Sequence, residues 1–157
     1  MEKAKKTRQN DKNVLISIRG DQNFEETGAD TTELVTEGRL CARPYGYDLV
    51  YNESELTGME GTRTTFQVRE KARGGEGQVV LLRSGQINSQ MIFETGRKHY
   101  SLYETPYGTM TVDISTSRVD TDMGDSGGKI EIDYAIEIEH RVTGESKFRI
   151  SVRALPQ

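Results

Sequence analysis

Ile130, Ile132, Tyr134, Ile136 and Ile138 alternate with Glu131, Asp133, Glu137 and Glu139, and no other feature constrains the fold of this chain as much. A period of two over that length belongs to a strand with one buried and one wetted face. The next run repeats it, with Phe148, Ile150 and Val152 set against Lys147, Arg149 and Arg153. Two such runs form an antiparallel pair whose facing residues must share a side of the sheet. The expected register puts Ile138 opposite Phe148 and Ile136 opposite Ile150, leaving Val142, Thr143 and Gly144 as the loop. Gly144 then takes the left-handed position of that loop. Glu139 faces Lys147 and Glu137 faces Arg149; such exposed pairs contribute about 0–1 kcal/mol each and select register more than they stabilise.

Nowhere does a helical period persist for three or four turns. Further strands are expected at Asn13–Arg19, Glu33–Cys41, Tyr47–Glu53 and Thr62–Val68, then at 78–84, 87–95, 97–105 and Thr109–Thr116. Gly20–Thr31 and Ser117–Gly127 read as acidic loops, 54–62 as a loop or sharp bend, and Glu70–Gly77 as a glycine-rich hairpin tip. That tip is not a phosphate loop, because no Gly-Lys-Ser/Thr follows it. A meander of short strands has two edges to hide, and closing on itself hides both. With hydrophobic residues at 33% and no Trp, a barrel with a partly polar interior is easier to fill than a sandwich with two apolar faces. The expected fold is all-β: one antiparallel up-and-down β-barrel of about 8–10 strands. It occupies 13–157, after a disordered basic tail over 1–12 with nothing to bury.

A formal charge of −4 and a pI near 5.3 argue against a nucleic-acid binder or an anionic-membrane binder. A lone cysteine, Cys41, rules out an internal disulfide and reads as a small strand residue beside Arg39 and Arg43. No signal peptide, lipidation motif or long apolar run is found, so a cytoplasmic protein is expected, as monomer or homodimer, without cofactor. His99 and His140 lack metal-ligand spacing. Asp120, Asp122 and Asp125 are only loosely similar to a calcium loop, with the glycine and one ligand position displaced. No metal is expected.

Two segments carry a family likeness: YNESELTGMEGT at 51–62 and LLRSGQINSQMIFETGRKHYSLYETPYGTM at 81–110. Together they resemble the YwiB-like family of small bacterial proteins, and a looser match runs from Asn13 to Val152. The resemblance implies a calycin-type, lipocalin-like β-barrel with a pocket. It implies no activity and supplies no catalytic residues.

The candidate ligand-binding residues are Glu53, Glu55, Arg83, Asn88, Gln90, His99, Tyr103 and Glu104. Most belong to the three consecutive strands of 79–108, where Arg83 can approach Asn88 and Gln90 across the first turn. His99, Ser101 and Tyr103 share one face of the third strand and Tyr100, Leu102 and Glu104 the other; alternation alone does not say which faces inward. The reading adopted is non-catalytic binding of a small amphipathic or anionic molecule in the cavity or at its mouth, with Arg83 and the amides fixing its polar end. The competing reading is an interaction or scaffold protein with a filled barrel, in which these side chains only tie turns together. An enzyme using Glu55, His99 and Tyr103 would need one of Glu53, Glu55 or Glu104 within hydrogen-bond reach of His99.

Overall fold

The computed structural model describes residues 11–70, 77–139 and 141–156. Ten strands make up almost all of it: β1 (Asp11–Phe24), β2 (Gly28–Arg43), β3 (Gly46–Asn52), β4 (Thr62–Arg69), β5 (Gln78–Gly85), β6 (Asn88–Glu94), β7 (Lys98–Thr105), β8 (Gly108–Gly124), β9 (Gly127–Ile138) and β10 (Arg141–Ala154). Each pairs antiparallel with the next in the chain, and β1 pairs with β10 from Val14↔Ala154 to Phe24↔Gly144, so the barrel is closed. Closure leaves no sheet edge to template aggregation. The expected meander is what forms. A single 3₁₀ turn, Glu55–Thr57, interrupts the strands.

Three expectations need correction. Asp11 and Lys12, placed in the tail, begin β1, where Asp11 faces Cys41; residues 1–10 and 71–76 lie outside the described residues. Gly20–Thr31 and Ser117–Gly127 are not loops. The first is the end of β1 and the start of β2, joined through Glu25–Thr27, and the second carries β8 on to Gly124. The end of β1 is polar because it runs past the packed part of the barrel; β8 continues beside Ile130 and Ile132 at the filled end, where Val119 and Met123 pack on the core and the intervening residues are polar.

The register of the last hairpin is the third correction. Phe148 faces Ile132 and Ile150 faces Ile130, while Ile138 pairs with Arg141 across Glu139 and His140. The slide is even, so every side chain keeps its expected face. Arg149 therefore meets Glu131 at 3.1 Å and Asp133 at 2.8 Å, not Glu137. Glu139 takes the left-handed conformation, φ 53°; His140 is outside the described residues. Gly144 has another role: the Phe24 ring lies on it, and a Cβ there would come within 2.0 Å of Phe24 Cδ1.

The interior has two levels. Val14, Leu40, Leu49, Val68, Ile130 and Ile132, with their neighbours, fill the end near the chain termini. Above them an aromatic layer crosses the barrel. Phe148 packs edge-on against Phe66 (6.2 Å between centroids) and Phe93 (6.5 Å), and Phe93 lies 4.8 Å from Tyr134. Edge-to-face pairs of this kind add about 0.5–1.5 kcal/mol beyond area burial. Beyond that floor the barrel is open. The wall is least regular between β6 and β7, whose ladder is confined to Asn88↔Glu104 and Ser89↔Tyr103. Side chains bridge the rest of that seam: the Ser101 hydroxyl donates to the Gln90 carbonyl, and His99 meets Glu94.

Candidate functional site

The open end holds a cavity of about 800 Å³, between the aromatic floor and the turns that follow β1, β3 and β9. Phe148 and Tyr134 form its base; Leu81, Met91, Met110 and Val112 are among its walls. Its size falls in the range of small-molecule sites. Thr57 and Met59, from the segment between β3 and β4, reach over one side.

Arg83 stands on that wall. Alternation along β5 sends Val79 and Leu81 inward, both 0% exposed, and Arg83 is the next inward position toward the mouth. Its Nε is buried without a hydrogen-bond partner, and the guanidinium forms no hydrogen bond or ion pair with any described residue. Across the ladder Arg83 faces Thr64 on β4 and Ser89 on β6. The Ser89 hydroxyl is likewise buried and unpartnered. Arg83 Nε and Ser89 Oγ are thus two unpartnered polar atoms on ladder-paired positions.

Glu53 is the inward counterpart on β3's side, 7% exposed. It does not pair with Arg83. Its carboxylate accepts from Thr64 Oγ1 at 2.5 Å and from Thr57 Oγ1 at 2.9 Å, fastening the 3₁₀ turn to the wall. Ser54 caps that turn by accepting from the Leu56 N–H, and Gly58 ends it at φ 74°. The Tyr51 hydroxyl is pushed up first by burial, then by the Glu53 carboxylate, with Arg83 opposing; burial also raises Tyr134, against the Ser146 hydroxyl and then Arg83. Both phenols stay neutral and can donate hydrogen bonds.

The remaining candidates divide. Ser101 is buried and Tyr103 lines the cavity, so the His99–Ser101–Tyr103 face points inward, and exposed Glu104 points out. His99 Nε2 lies 3.0 Å from Glu94 Oε1, and this bond holds the Glu94 carboxyl below the usual carboxylate range. Glu55 is exposed on the 3₁₀ turn. Thus Glu55, His99 and Tyr103 are not brought together, and the carboxylate beside His99 is Glu94. Asn88 and Gln90 are exposed; Asn88 ties the β5–β6 turn through the Gly85 carbonyl (2.9 Å) and amide (3.1 Å). Ser89, lying between them, holds the inward position. Parity with Met91 and Phe93 was the signal that could have found it.

Outside the cavity, the Cys41 thiol is pushed up to about 11, mainly by burial and then by Asp11. It is a packed thiol, not a reactive one. Asp120 pairs with Arg118 at 3.1 Å, and Asp125 accepts from the Tyr47 hydroxyl at 2.8 Å. Among the described residues no group of three or more His, Cys, Asp or Glu is arranged to hold a metal, and no helix is long and apolar enough to cross a membrane.

The chain is similar to the uncharacterized β-barrel protein YwiB of Bacillus subtilis, at 26% identity over 72 residues; these cover 46% of this chain and 51% of that protein. The chain therefore spans about half the length of the curated relative it matches. The crystal structure of the B. subtilis ywiB protein superposes with a TM-score of 0.80 over 94% of each chain, at 18% identity, which speaks for a shared fold. The family model described as Domain of unknown function (DUF1934) matches residues 16–150. With most of the barrel inside that match, the chain belongs to the DUF1934 family.

Proposed function

We propose that this barrel is a non-catalytic binder of a small anionic amphiphile, held with its acidic head at Arg83 and its apolar body above the aromatic floor. The observation that carries the reading is the unpaired Arg83 guanidinium, its Nε buried, on the wall of a largely apolar cavity. A carboxylate there would accept from the Arg83 guanidinium, supplying the partner that it lacks among the described residues. Charge-assisted bonds of this kind contribute about 1.5–3 kcal/mol each. The filled interior that a pure scaffold requires is present only in the half of the barrel near the termini.

Native mass spectrometry of protein purified from its own host tests this. The expected spectrum contains a population heavier than the bare chain by one small acidic lipid-like molecule, released on unfolding. A bare chain that also takes up no dodecanoate on incubation would overturn the proposal.

A further inference from the structure

We infer that the cavity selects a bipolar ligand, one that carries a cationic group at the end remote from its acidic head. This rests on the reading of Arg83 as the anion site and narrows the ligand class. Three carboxylates, Glu25, Glu26 and Glu139, line the cavity at its outer rim, against one rim cation, Arg141. All four are exposed, and none forms a side-chain hydrogen bond or ion pair with a described residue. They come from two turns that meet: the Glu25 N–H donates to the Thr143 carbonyl at 3.3 Å, joining the β1–β2 turn to the start of β10.

The cavity lining thus holds one inner cation, Arg83, and a net negative entrance, separated by apolar side chains such as Met59, Met110 and Val112. A simple monoanion must pass like charges at the rim and gains nothing from them once seated. A molecule whose anionic and cationic groups flank an apolar body meets an opposite charge at each end, with nothing left unpaired. The rim groups are solvated, so each contact there is weak and weakens further with salt. The inner contact is partly buried and much less screened. Rim selectivity and head-group binding can therefore be told apart by their salt dependence.

The test compares dodecanoate with ω-aminododecanoate and shorter ω-amino homologues by calorimetry on the full chain. The expected result is that at least one ω-amino acid binds about fivefold tighter than the alkanoate of its length in low salt. That ratio should fall toward one between about 0.05 and about 0.5 M salt. In the triple variant Glu25→Gln, Glu26→Gln, Glu139→Gln the ratio should also fall to one, with dodecanoate affinity kept or raised. If dodecanoate binds the wild type as tightly as every ω-amino homologue, or if the ratio ignores both salt and the triple variant, the inference is overturned while the anion site stands. If no ligand binds, the anion site fails, and the bipolar reading fails with it.

Discussion

Replacing Arg83 with methionine is expected to weaken dodecanoate binding at least about tenfold and to leave the protein as stable as before, or more so. The two effects have one cause. Arg83 stands inside the barrel with its Nε buried and unpartnered, so the folded protein carries a desolvation cost that no ion pair among the described residues repays. Methionine removes that cost, keeps most of the volume and suits a wall already built with Met91 and Met110. Binding loses the charge-assisted bonds, about 1.5–3 kcal/mol apiece, and tenfold in affinity is about 1.4 kcal/mol. Arg83→Lys keeps the charge but not the fork, and should fall between the two. Calorimetry reads affinity and urea unfolding reads stability. A residue that served only structure would show the reverse, lower stability with unchanged binding.

Phe93→Ala is expected to cost about 3–5 kcal/mol in urea unfolding. Phe93 is 0% exposed and packs against both Tyr134 and Phe148, so its ring holds the floor together. It also lies on β6, where the wall is least regularly paired, so neighbouring strands have few ladder bonds with which to close the void. The floor divides filled from open interior, and its loss should deepen the cavity as well as destabilise the barrel. A cost below about 1 kcal/mol would mean that the layer repacks freely.

The architecture could be read from the sequence because alternation survives wherever one face is packed. Ile130–Ile138 and Phe148–Val152 show their inner face in the residues themselves, and those faces are where they were expected. Register was not legible. An alternating strand can slide by two residues without exposing its core, and the turn residues around Val142–Gly144 allow more than one hairpin. The polar end of β1 was hidden because it has little to bury, and that of β8 because Val119 and Met123, its apolar inward residues, are spaced four apart among acids and small polar residues.

The same logic sorts the site. Arg83 was found by its rarity among apolar strand residues, and Tyr103 by sharing a face with Ser101. Asn88 and Gln90 were drawn in by nearness along the chain to the turn, although parity with Met91 turns them outward and sends Ser89 in. Met59 comes from the segment between β3 and β4, Met110 from β8 and Phe148 from β10, and closure of the barrel is what gathers them around the cavity.

The most direct test of the central claim is the arginine Nε–Hε region of a ¹H–¹⁵N spectrum during titration with dodecanoate, assigned with the Arg83→Met variant. The buried Arg83 Nε–Hε resonance should move and saturate at one equivalent, as the group gains its first acceptor, while the surface arginines Arg19 and Arg118 stay still. Binding that shifts outer-face amides and leaves the Arg83 resonance unmoved would contradict the account.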